Sequence, residues 1–145
     1  GPNVLTKRLT NINTNESVVV IYSPGGRLEE INLKSQSKSG SPVSMISGHN
    51  KNASAIYENA HFKGCALMPW ANRIANATYN FFGKQYQLPV NEPARGDALH
   101  GFLFNNTFTV ENETTTSTYA ELRLVITFSK ALNNLYPGYP FEFTV

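Results

Sequence analysis

The stretch from residue 119 to 130 (YAELRLVITFSK) limits the possible folds most. Ala120, Leu122, Leu124, Ile126 and Phe128 fall on one face of an extended chain, and Glu121, Arg123, Thr127 and Ser129 fall mostly on the other. A period of two predicts a half-buried antiparallel strand with one wet face, which needs an apolar layer against it. Shorter pieces repeat the theme. Residues 17–22 (SVVVIY) are rich in β-branched side chains and read as a strand. Pro24-Gly25-Gly26 turns the chain, and residues 27–33 return as a second strand with Ile31 and Leu33 on one face. Residues 34–42 (KSQSKSGSP) read as an exposed loop, 43–46 as a brief strand, and 54–62 as at most one turn of helix. Residues 102–110 read as a strand interrupted at Asn105-Asn106, 111–118 (ENETTTST) as a polar turn, 131–140 as a loop and 141–145 as one more strand. Short strands with frequent turns and no helical pattern predict an all-β fold, an antiparallel β-sandwich.

The clearest hairpin lies at residues 78–88. Two alternating segments flank Gly83-Lys84, and Gly at the first central position of a two-residue loop is the signature of a type II′ turn.

Composition excludes several classes. At 145 residues, 41% hydrophobic and 12% aromatic, the chain is long and apolar enough for one globular domain, residues 1–145. A formal charge of +2 with scattered basic residues argues against nucleic acid or an anionic membrane as partner. No apolar run approaches the length of a membrane-spanning helix. The single cysteine, Cys65, rules out an internal disulfide framework, and Ala66, Leu67 and Met68 beside it predict a buried, inert thiol. The three histidines are far apart, with no cysteine or paired carboxylate at ligand spacing, so no metal site and no cofactor is expected. His49 sits among Gly, Asn and Lys and reads as solvated; His61 reads as structural.

Polar groups concentrate among apolar neighbours between residues 63 and 104. Trp70-Ala71-Asn72-Arg73-Ile74 sets an amide and a guanidinium between residues that favour burial, and Ala98-Leu99-His100-Gly101-Phe102 does the same for an imidazole. A buried polar group without a partner costs about 1–3 kcal/mol, so each is paired within the protein or meets a polar ligand. Two such places joined by a tight hairpin favour a site. Glu92, Arg95 and Asp97, in the loop 89–97, read as sugar contacts or as a solvated loop with local ion pairs, the second being favoured.

These residues carry a resemblance. Pro69-Trp70-Ala71-Asn72-Arg73-Ile74, the segment 79–88 (YNFFGKQYQL), Asn91-Glu92 and Leu99-His100-Gly101-Phe102 resemble the aldose 1-epimerases, the galactose mutarotase family, in order and spacing. Gly25-Gly26-Arg27-Leu28 and Tyr136-Pro137-Gly138-Tyr139-Pro140-Phe141 are similar more loosely. The resemblance implies a galactose mutarotase-like β-supersandwich of which this chain is the N-terminal half, completed by a C-terminal complementary chain or segment. It implies an isomerase interconverting the α and β anomers of a hexose, such as galactose or glucose, by acid–base ring opening. It places His100 beside the sugar ring oxygen, as donor or partner of the acid, and gives Arg73, with Asn72, the task of holding hydroxyls. Arginine suits that task because its fork fixes two acceptors at once. The family's second His, its hydroxyl-gripping Asp and its Glu base belong to the C-terminal half and have no counterpart in these residues. The alternative is a non-catalytic carbohydrate-binding or structural protein of the same fold. A hexose-phosphate relative ranks low, because no cluster of Arg or Lys accompanies Arg73 in the sequence.

Asn15, Asn52, Asn76, Asn105 and Asn112 each open an N-glycosylation acceptor triplet, although Asn76 lies close to the expected site. About three such triplets would occur by chance in so Asn-, Ser- and Thr-rich a chain. The small excess leans toward a secreted or lumenal protein, with a cytoplasmic one as the alternative. No secretory signal is seen at the N-terminus, where Gly1-Pro2 is compatible with a scar of tag removal.

Overall fold

The computed structural model describes residues 3–36, 40–128 and 143–145. The described elements are almost all strands: β1 (Leu5–Thr10), β2 (Ser17–Ser23), β3 (Arg27–Lys34), β4 (Pro42–Ser44), helix α1 (Ala53–Glu58), β5 (Arg73–Ile74), β6 (Thr78–Phe81), β7 (Lys84–Gln87), β8 (Ala98–Leu99), β9 (Thr109–Thr115), β10 (Ala120–Val125), β11 (Thr127–Phe128) and β12 (Phe143–Thr144). Short 3-10 turns lie at Ala75–Ala77 and Leu103–Asn105. All strand pairs between these elements are antiparallel. The chain forms two compact units, one of residues 1–66 and 104–125, the other of 67–103 and 126–145.

The first unit is a four-stranded sheet in the order β1-β2-β3-β4, with α1 and the β9–β10 hairpin. β2 supplies its core: Val19 and Ile21 point inward, Ile21 fully buried. β1 escaped the sequence reading because Lys7 breaks its alternation; it is held by register, with Leu9 opposite Val18. β3 inverts the expected pattern. Arg27 and Glu29 take its buried positions, while Leu28 and Leu33 are exposed. The expected polar turn at 111–118 is strand as far as Thr115, and the reversal comes at Thr116–Tyr119, where the Thr116 hydroxyl accepts the N–H groups of Thr118 and Tyr119. Cross-strand pairing and β-branched threonines overrode polarity there, and Lys7 adds an ion pair to Glu113 at 2.7 Å.

Residues 102–108 are not the expected strand. Leu103–Asn105 is a helical turn, and the loop after it bonds to the β2–β3 turn, Gly25 N–H to Asn106 O at 2.7 Å and Phe108 N–H to Tyr22 O at 2.8 Å. The long strand expected at 119–130 is split between β10 and β11. A register shift follows Arg123, and Ile126 instead exchanges two backbone bonds with Val145. The loop 131–140 and the first two residues of the strand expected at 141–145 lie outside the described residues; Phe143–Thr144 pairs with Thr127–Phe128.

In the second unit, Ala77, Leu88 and Ala98 form a small core with Trp70, Ile74 and Tyr79 against it. The β6–β7 hairpin forms as expected, but its loop is Phe82-Gly83, since Phe81 pairs with Lys84. Both loop residues have positive φ, 48° and 74°, which is the type I′ turn rather than type II′. Glycine thus takes the second central position, and Phe82 stands almost wholly in solvent. No helix among the described residues is long and apolar enough to cross a membrane.

Candidate functional site

The site is built where β5 meets β8. These strands are two residues each, with Arg73 opposite Leu99 and Ile74 opposite Ala98. So short a ladder needs help, and Asn91 gives it: its amide donates to Leu99 O at 2.8 Å and accepts Leu99 N–H at 2.6 Å, imitating a third strand. Trp70 packs edge-on to Phe102 and donates its indole N–H to Ala98 O at 3.3 Å. β8 is therefore braced on both sides just before His100.

Beyond the last ladder pair the chain turns left-handed on both sides. Asn72 has φ 64° and His100 φ 60°. His100 N–H donates to Asn72 O, and Asn72 N–H donates back to the imidazole Nδ1, each at 2.9 Å. A ring nitrogen that accepts carries no proton, so the neutral ring holds its proton on Nε2. Burial and the neighbouring Arg73 charge lower the pKa of His100, against a smaller raising effect of Glu92. Backbone strain at non-glycine residues gathers at functional sites, and here it aims the imidazole.

Arg73 and Asn72 are exposed, contrary to the burial expected from their apolar neighbours. A two-residue strand turns only Ile74 inward, and the guanidinium lies along the surface against Glu92. Nε donates to Glu92 Oε2 at 2.6 Å and Nη2 to Oε1 at 2.8 Å; Nη1 stands 3.5 Å from Asn72 Oδ1. The Arg73 bond lowers the pKa of Glu92, and the same bond raises that of Arg73. Arg95 approaches Glu92 from outside, Nε to Oε1 at 3.7 Å, so a second guanidinium joins Arg73 that the sequence spacing hid. Asp97 accepts Asn76 N–H at 3.0 Å. The structure thus brings Asn72, Arg73 and His100 together and adds Glu92 and Asn91. The sequence signal for both was present: they stand side by side in the loop before the Leu-His-Gly.

A profile of the family described as aldose 1-epimerase matches residues 7–145. The chain belongs to the aldose 1-epimerase family. Uncharacterized protein YihR of Escherichia coli (strain K12) is 40% identical over 78 residues, which cover 54% of this chain and 22% of YihR. Solved relatives share the mutarotase-like β-sandwich fold. A galactose mutarotase-like protein from Clostridium acetobutylicum, 21% identical, covers 98% of this chain with a TM-score of 0.70, and 44% of its own length is matched. A GalM/aldose epimerase homologue from C. elegans, 19% identical, covers 91% with a TM-score of 0.67, and 38% of it is matched. A galactose 1-epimerase from Lactobacillus acidophilus, 16% identical, covers 91% with a TM-score of 0.62, and 41% of it is matched. The chain spans less than half the length of these relatives.

His49 of this aldose 1-epimerase family member differs from expectation. Its side chain is enclosed rather than solvated. Its Nδ1 lies 2.8 Å from Glu29 Oε2, its backbone N–H donates to Oε1, and its Nε2 lies 3.1 Å from Asn59 Oδ1. β3 turned Glu29 inward, and the loop after β4 closes over it with the imidazole. Asn59 donates to Lys63 O and to Cys65 Sγ. Burial raises the Cys65 pKa, outweighing Arg27 and Asn59, which suits an inert thiol. Among the described residues no group of His, Cys, Asp and Glu is gathered as a metal would require.

Proposed function

We propose that the protein interconverts the α and β anomers of a hexose, such as galactose or glucose, and that this chain supplies the part that holds the sugar and contacts its ring oxygen. The observation that carries the reading is the Asn72–His100 bond, which sets an imidazole with its proton on Nε2 beside the Arg73 guanidinium. A base removes the proton of the anomeric hydroxyl, C1=O forms, the C1–O5 bond breaks and O5 takes up a proton. Rotation about C1–C2 and the reverse steps close the ring on the other face. His100 serves O5 from Nε2, and Arg73 with Asn72 holds hydroxyls.

The base is expected from a C-terminal complementary segment or chain, since Glu92 is engaged by Arg73 and Asp97 by Asn76 N–H. That engagement also supports the second reading, a non-catalytic carbohydrate binder of the same fold. Polarimetry on freshly dissolved α-glucose and α-galactose decides between them: accelerated interconversion supports the isomerase, and hexose affinity without acceleration supports the binder. The mass of the intact native protein tests the complementary segment. A secreted or lumenal origin belongs to the same proposal. Asn15, Asn52, Asn105 and Asn112 are all exposed, and loss of mass on peptide N-glycosidase treatment of native protein would support their use.

A further inference from the structure

We propose that Glu92 is a positioning residue for sugar recognition, fixing the Arg73 guanidinium so that a single edge of it faces the ligand; this rests on the hexose reading above. A guanidinium has five N–H donors in a rigid plane. Glu92 takes the Nε–H and one Nη2–H side-on, at 2.6 and 2.8 Å. Nη1 donates to Asn72 Oδ1 at 3.5 Å, so the second Nη2–H and the other Nη1–H, at the tip of the fork, are what remain to bridge two hydroxyls. Without the carboxylate, a long side chain on a two-residue strand loses its orientation and must be ordered anew by each ligand.

Glu92 is itself anchored to the strand that delivers His100. Its neighbour Asn91 is tied to Leu99 by two bonds. Its own N–H donates to Asp97 O at 3.2 Å, and its carbonyl accepts the N–H groups of Arg95 and Gly96 at 3.1 and 3.0 Å. The carboxylate therefore transmits the position of β8 to the guanidinium on β5, and Arg73 and His100 are held in one frame. An exposed ion pair alone contributes little to stability. A merely structural Glu92 would leave sugar affinity untouched.

The test uses the intact protein and the variants Glu92→Gln, Glu92→Asp and Arg73→Ala. Calorimetric titration with glucose and galactose gives affinity, polarimetry gives turnover, and NMR gives the His100 titration. Loss of an oriented, charge-assisted contact predicts about tenfold weaker hexose binding in Glu92→Gln, with kcat changed by less than about threefold. The His100 midpoint moves down in Glu92→Gln, where the raising charge is lost, and up in Arg73→Ala, where the lowering charge is lost. Glu92→Asp keeps the charge and restores the His100 midpoint, while its shorter reach restores affinity only in part. Unchanged affinity and an unmoved His100 midpoint in Glu92→Gln would overturn the proposal. Hexose binding without interconversion in the wild type would remove the isomerase reading alone, leaving the affinities to decide on Glu92. A wild type that binds no hexose would remove both.

Discussion

Two histidines in two units meet opposite fates. In the first unit both ring nitrogens of His49 face side-chain acceptors, Glu29 and Asn59, and the side chain is 8% exposed. In the second, His100 takes a backbone N–H on Nδ1 and stands half-buried beside an exposed guanidinium. A ring engaged at both nitrogens spends its hydrogen-bonding capacity on the fold. Nδ1 of His100 accepts a backbone N–H, which assigns the proton of the neutral ring to the other nitrogen. The difference separates an imidazole enclosed by side chains from a half-buried one beside Arg73, and burial alone does not tell what each ring is bonded to.

The sharpest way to break the comparison is His100→Asn. Asn is shorter and does not place its N–H where the Nε2–H of the neutral ring stands. Turnover should fall about 10²–10³-fold, the usual cost of losing an aligned donor at a developing oxyanion. Hexose affinity should fall only modestly, and Arg73→Ala should show the reverse balance. Acidity tests the same geometry without mutation. An imidazolium has no acceptor, so protonation costs His100 its bond from Asn72. Its pKa is lowered from 6.5, so turnover should be retained through that pH and be lost below it as pH falls. The unfolded chain binds this proton at higher pH than the folded one, so stability falls with pH across the same window. An acid limb centred above 6.5 would contradict the assigned tautomer.

His49→Leu probes the other side. It removes the imidazole from buried Glu29 Oε2 while the residue 49 backbone N–H stays on Oε1, and a buried acceptor left unsatisfied costs about 1–3 kcal/mol. The urea midpoint should drop accordingly, while turnover per folded molecule stays at the wild-type value. Equal stability of the two proteins would mean that the Glu29–His49 contact is dispensable, and the contrast between the histidines would dissolve.

How far the sequence could foresee this is visible in the same residues. The antiparallel strand content followed from alternation, and the Asn72, Arg73 and His100 grouping followed from motif order. Exposure did not follow, because both inferences about it used chain neighbours. His49 has polar neighbours but crosses the inner face of β3, where Glu29 had already turned inward. Arg73 has apolar neighbours, but β5 is too short to bury more than one of them. Nor could sequence single out positive φ at Asn72 and His100, since Asn and His adopt it more readily than most residues but at only a minority of their positions. The Arg73–Glu92 clasp was hidden for a related reason: its members are brought together by the two-residue ladder.

The backbone that aims His100 gives a smaller effect and, with it, a control in the same unit. Gly101 has φ 67°, and a Cβ there would meet Met68 O and C, main-chain atoms that cannot swing aside. Gly83 has φ 74° at the hairpin tip, with nothing within 4 Å of an added Cβ. Both substitutions by alanine pay left-handed strain of about 1 kcal/mol, and only Gly101→Ala adds displacement of the chain. Gly101→Ala should therefore lose at least about 2 kcal/mol of stability and also turnover, because the Met68–Gly101 contact sets the position of the preceding imidazole. Gly83→Ala should lose about 1 kcal/mol and leave turnover unchanged. The pairing of Phe81 with Lys84 makes a further distinction. If the loop were a type II′ Gly83-Lys84, Phe82→Gly would place a glycine in the strand and cost about 0.5–1 kcal/mol; with Phe82-Gly83 as a type I′ loop, Phe82 has φ 48° and Phe82→Gly relieves left-handed strain. Thermal midpoints of Gly83→Ala and Phe82→Gly, measured beside Gly101→Ala, settle the turn and the support of His100 together. A Gly101→Ala protein as active and stable as Gly83→Ala would show that the imidazole is aimed by its bond to Asn72 alone.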